Sequence, residues 1–145
     1  MKGVQGYFNQ ELITWFKANN LMYEPATYKL DKGTLSLLFN ANYCLKIYDC
    51  VGHGFGVTIN LAENRDESVY ENDKFSLTWA YKFFKIEEAA SFSSRSKNQY
   101  LKNLPNLIDD IKAIVPLLNR MNSKEWDGMT QWIDKEANRL YGHRE

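Results

Sequence analysis

The sequence predicts an α+β fold: one domain in which an antiparallel meander of about four strands is packed on one face by an N-terminal helix and two or three C-terminal helices. Three observations predict it. Tyr43 to Val51 and Phe55 to Leu61 each alternate apolar and polar residues with a period of two, on either side of Gly52-His53-Gly54, which is the pattern of a hairpin with one greasy face. The segments before and after them carry apolar residues at steps of three and four, the spacing of helices that bury one side. At 145 residues with no internal repeat and no linker, residues 1–145 form a single domain, long enough to bury a core without a disulfide or structural metal.

Taken in order, Tyr7 to Asn19 reads as a helix, with Phe8, Leu12, Trp15 and Phe16 as its stripe, Ile13 beside it and Asn19-Asn20 as its stop. Tyr28-Lys29-Leu30, a turn at Asp31-Lys32-Gly33 and the run Thr34 to Phe39 read as a strand pair. Asn40-Ala41-Asn42 links this pair to the glycine-centred hairpin. Closure around His53 sets Val51 opposite Phe55, Ile47 opposite Ile59 and Leu45 opposite Leu61. The other face then carries the polar set Cys44, Lys46, Tyr48, Cys50, Thr58 and Asn60. Sheets of this kind are covered by helices on the apolar face.

Phe75 to Phe84 is readable in two ways. Phe75, Leu77, Trp79, Tyr81 and Phe83 alternate as a strand would, but Ala80 and Phe84 break the polar face, and good helix formers continue to Ala90. Helix is the favoured reading. After a polar loop from Ser91 to Ser96, a broad stripe from Tyr100 to Leu118 predicts a long helix. Pro105 is expected in its first turn, and Pro116 is expected to kink or shorten its far end. Asn122 with Glu125 has the form of a capping box opening a last helix, which Trp126, Met129, Ile133, Ala137 and Leu140 carry to Gly142.

Composition excludes some function classes. The 18 basic and 18 acidic side chains cancel, so no global electrostatic footprint for nucleic acid or an anionic membrane exists. No run approaches the roughly 18 apolar residues of a membrane span, and Met1 to Gly6 lacks signal-peptide features. A cytoplasmic protein is expected. Cys44 and Cys50 lie on one strand face about 20 Å apart, beyond disulfide reach, so reduced thiols are expected.

Candidates for chemistry are few. His53 sits among glycines that let a backbone approach a ligand, and with Tyr48 and Cys50 on the polar sheet face it defines a candidate small-molecule site. The simpler reading of His53 is a solvated turn residue. The glycine turn is not a phosphate cradle, because a strand and not a helix follows it. No Cys or His pair has metal-ligand spacing, and no nucleophile elbow is present. Asp109-Asp110 and Glu87-Glu88 diverge by about 100° on a helix and read as solvated faces. No catalytic residue, metal or cofactor is assigned. The acidic run Glu63, Asp66, Glu67, Glu71 and Asp73, set against Arg65, is the better functional clue: its simpler reading is an ordinary solvated loop, and its functional reading is a surface for a basic protein partner. Trp132 falls beside the apolar stripe of the last helix, where aromatic residues serve interfaces.

The hairpin from Tyr43 to Leu61, the aromatic segment Phe75 to Phe84 and the ending Leu117-Leu118 followed by Glu125-Trp126 together resemble, in layout, the small α+β immunity proteins that protect bacteria from their own secreted toxins. That resemblance implies a non-enzymatic protein that binds and blocks a toxin, often a basic nuclease, through an acidic surface. It transfers no individual site residue. The leading expectation is therefore a cytosolic protein-binding module, and the alternative is a small-molecule binder or enzyme centred on His53. Self-association would run through a sheet edge or the Trp132 helix.

Overall fold

The computed structural model describes residues 3–27, 33–61, 75–88, 90 and 96–142. A short 3-10 turn, Val4–Tyr7, precedes α1 (Gln10–Ala18). Asn9 caps that helix by accepting from the Leu12 amide at 2.9 Å. Asn20, with φ of 64°, turns the chain out of it. Four strands follow: β1 (Met22–Thr27), β2 (Thr34–Phe39), β3 (Tyr43–Cys50) and β4 (Gly54–Leu61). The remainder is β5 (Phe75–Ser76), α2 (Leu77–Phe84), α3 (Lys97–Asn119) and α4 (Ser123–Tyr141).

The strands lie in sequence order, β1-β2-β3-β4-β5, each antiparallel to its neighbour. The α+β meander expected from the alternation is the observed fold, with a two-residue fifth strand added. The contested segment is both elements in succession: Phe75 and Ser76 pair with Ile59 and Thr58, and helix begins at Leu77.

Three local details differ from the sequence reading. The first strand is Met22–Thr27, earlier than Tyr28-Lys29-Leu30, which lies outside the described residues together with Asp31 and Lys32. The hairpin closes one residue earlier than expected, pairing Cys50 with Gly54, Ile47 with Val57 and Leu45 with Ile59. The turn dictates this: the His53 amide donates to the Cys50 carbonyl at 2.8 Å and Gly52 has φ of 87°. A type II turn needs positive φ at its third residue, so glycine fixes the turn at residues 50–53. The slip is two residues in pairing, which leaves every side chain on its expected face.

The third difference is in α3. Both prolines lie inside it, Pro105 well past the first turn, and the helix continues beyond Pro116 to Asn119. An interior proline costs about 3 kcal/mol or more. Against this, Tyr100, Leu104, Leu107, Ile111, Ile114, Val115 and Leu118 are all essentially buried, each apolar side chain contributing roughly 1.5–3 kcal/mol. Tertiary burial wins.

The helices lie against the face of the sheet that carries Leu38, Tyr43, Leu45, Ile47, Phe55, Val57 and Ile59, and these form one core with Phe16, Leu77, Trp126 and Met129. Tyr43 Oη donates to Asn119 Oδ1 at 2.8 Å, joining β3 to the end of α3. The opposite face, which carries the polar set, is largely buried as well, with Cys50 at its end exposed. Cys44, Lys46 and Asn60 are buried there as fully as the core face of β3, and Tyr48 is also buried. One of the two outer strands, β1, carries Glu24 and Pro25 exposed in its middle.

Candidate functional site

The surface best built for recognition lies where α2 meets α4. Leu77, Ala80 and Tyr81 turn α2 into the core. Trp79 and Phe83, four residues apart and therefore on one helix face, are left half-buried at its margin. On α4, Trp126, Met129 and Ile133 face inward. Trp132 stands beside them, half-buried as its offset from the stripe predicts.

These aromatics meet edge to face. Phe83 and Trp132 have ring centroids 5.6 Å apart at 67°, and Trp79 and Tyr141 lie 6.3 Å apart at 82°. Phe84 packs against Phe83 at 5.2 Å. Lys82 places its ammonium 4.7 Å from the Trp79 ring, a cation–π contact that keeps a positive charge beside the apolar strip. Leu140 and Tyr141 extend the strip into solvent, Tyr141 being 70 % exposed. A bidentate Arg139–Glu136 pair at 3.0 and 2.8 Å gives it a charged border. An aromatic centre with a charged rim is the anatomy of a protein-binding surface.

The residues singled out from sequence are scattered. Glu63, Asp66, Glu67, Glu71 and Asp73 lie outside the described residues. His53 stands exposed on the hairpin turn and Cys50 is exposed at its base. Tyr48 is buried on the second sheet face, opposite Gly56. Two open grooves are lined by other residues. The larger, about 480 Å³, runs between α1 and α3 past Tyr7, Leu12, Trp15, Ile108 and Lys112. Among the described residues no group of three or more His, Cys, Asp or Glu side chains is placed to hold a metal ion, and no helix is long and apolar enough to cross a membrane.

Sequence reasoning missed two buried carboxyl sites. Asp49 is fully buried on the helix-facing side of β3. Its Oδ2 accepts from the Val4 amide and its Oδ1 from Tyr100 Oη, both at 2.7 Å. Burial pushes its pKa up, and the two hydrogen bonds pull it partly back. The Tyr100 ring stacks on Phe55 at 4.9 Å, so the N-terminal turn, the hairpin and α3 converge on one carboxyl group. Asp110 is also buried, at 4 % exposure, not solvated as its pairing with Asp109 suggested. Its Oδ2 accepts from the Ala90 amide at 2.9 Å, and its carbonyl accepts from Tyr81 Oη. Glu88 lies near it. Both were legible in principle: Asp49 continues the odd-numbered apolar face of β3, and Asp110 falls three residues after Leu107 and four before Ile114.

The chain matches no known family model, no curated protein and no solved structure. A function must therefore be argued from these surfaces alone.

Proposed function

We propose that this chain is a non-enzymatic protein-binding module that blocks a basic protein partner, as an immunity protein does, in the cytosol. The observation that carries the reading is the aromatic strip of Trp79, Phe83, Trp132 and Tyr141 along α2 and α4. Partly exposed Trp and Tyr side chains that already pack against one another lose little freedom on binding, which is why they recur as energetic centres of interfaces. The sequence adds the matching charge. Glu63, Asp66, Glu67, Glu71 and Asp73 occupy the connection that ends immediately before β5 and α2. Acidic residues near an apolar centre favour a positively charged partner and accelerate its approach. Cys44 and Cys50 are not joined in a disulfide, which suits a reducing compartment.

The test is affinity capture from cells of the source organism, with bound proteins identified by mass spectrometry. Wild type, a Trp132→Ala/Phe83→Ala variant and a variant with the five carboxylates converted to amides are compared, with circular dichroism as the folding control. One basic protein should bind wild type and be lost from both variants, and affinity for it should fall about 30-fold for loss of a 2 kcal/mol anchor. If the same proteins are retained by both folded variants, the proposal fails.

A further inference from the structure

The groove between α1 and α3 shares no lining residue with the aromatic strip of α2 and α4. Helical spacing builds it. Leu12 and Trp15 lie three residues apart on α1, and Ile108 and Lys112 lie four apart on α3, so each helix presents its pair on one face. Leu12 and Ile108 belong to the core and supply the apolar base of the groove. Trp15 and Tyr7, both half-buried, add aromatic walls. The Trp15 ring is held in place by Phe16, which meets it edge to face at 5.2 Å and 85°. At about 480 Å³ the space lies within the range of small-molecule sites, roughly 300–1,000 Å³.

One charge in this groove is left uncompensated. The Lys112 ammonium crosses from α3 to lie 5.0 Å from the Trp15 ring centroid. A cation–π contact positions that charge without neutralising it. Among the described residues Lys112 has no ion pair, and neither the Trp15 indole N–H nor the Tyr7 hydroxyl makes a hydrogen bond. An ammonium, an indole N–H and a hydroxyl are all hydrogen-bond donors. The lining therefore combines an apolar base with donors in want of an acceptor.

We propose that this groove binds a small aromatic carboxylate, its ring against Leu12, Ile108 and Trp15 and its carboxylate at the Lys112 ammonium. A neutral apolar ligand would cover Lys112 without pairing it, which carries a desolvation cost. A second negative charge on the ligand would meet Glu11, which lines the same groove. One carboxylate satisfies both conditions. A flat ring suits the aromatic walls and has few rotors to immobilise.

Amide and indole NMR of the full-length protein, titrated with naphthoate and separately with its carboxamide, tests this. Naphthoate should shift the Trp15 indole resonance and the backbone amides of α1 and of residues 108–112, saturably. The carboxamide, of nearly the same shape but uncharged, should bind about tenfold more weakly, the loss expected for one charge-assisted hydrogen bond. Lys112→Gln should weaken naphthoate about tenfold and leave the carboxamide unchanged. If that variant does not fold, the comparison of acid and amide on the wild type decides alone. The proposal is overturned by naphthoate failing to bind, by shifts confined to residues outside the groove, by equal affinity for acid and amide, or by full naphthoate affinity in folded Lys112→Gln.

Discussion

Replacing Tyr100 by Phe deletes a single hydroxyl from the point where the N-terminal turn, the hairpin and α3 meet. The phenyl ring keeps its stack on Phe55, so the change removes only what the hydroxyl makes: chiefly its buried hydrogen bond to Asp49 Oδ1, 2.7 Å long, and with it an interaction with the Gly52 backbone. A hydrogen bond to a charged group contributes roughly 1.5–3 kcal/mol, and one between neutral groups roughly 0.5–1.5 kcal/mol. Because Asp49 is fully buried, solvent screening does not reduce these figures. With Asp49 ionised the substitution should cost about 2 kcal/mol, and with Asp49 protonated about 1 kcal/mol. The pH dependence follows from linkage. Asp49 is raised by burial in the folded state and held partly down by Tyr100 and Val4. Folded molecules thus bind more protons than unfolded ones in the window above the ordinary aspartate range, and stability falls as pH rises through it. Removing the hydroxyl raises the folded value further and widens that window. Urea unfolding followed by tryptophan fluorescence, at pH 7 and near pH 4, should show the larger loss at pH 7, with a melting shift there of roughly 4–8 °C. A loss under about 0.5 kcal/mol at neutral pH, or the same loss at both pH values, refutes the reasoning.

Two further outcomes are expected. A Cβ at residue 3 would collide with Asp49 Oδ2 and approach Val51 Cγ2 to 2.8 Å, so Gly3→Ala should destabilise by about 1–3 kcal/mol, read by thermal unfolding. Asn122 and Glu125 form a complete capping box, with bonds of 2.9 and 3.2 Å. Asn122→Ala should therefore cost about 1 kcal/mol, measured by the same melt; an unchanged midpoint would mean that this helix end contributes nothing.

Legibility in the sequence followed the strength of local patterns. The hairpin, the long stripe of α3 and the Asn122–Glu125 box were readable because each is specified by periodicity or by two residues at a fixed offset. The position of β1 was not: Glu24 and Pro25 interrupt Met22–Thr27 with residues that disfavour strands, and pairing with β2 overrides them. The run of α3 through two prolines was hidden for the same reason, since its stability comes from burial that propensity does not see. The burial of Asp49 and Asp110 was obscured by residue type, because charge outweighed position in a reading that follows hydrophobicity. Of the four aromatics of the candidate surface, Trp79, Phe83, Trp132 and Tyr141, sequence pattern singles out one. Trp132 stood out by its offset, whereas Trp79 and Phe83 were masked by the strand-like alternation of Phe75 to Phe83.

Pro25 has a consequence for how copies of this molecule meet. A sheet grows by adding strands when its outer strand offers an unbroken row of amide donors and carbonyl acceptors. The strand at one of the two margins of the described sheet, β1, has an imino acid at its centre and an exposed carboxylate beside it. An incoming chain would lose one donor in mid-ladder and meet a fixed negative charge. Growth through that margin into fibres or swapped dimers is thereby discouraged.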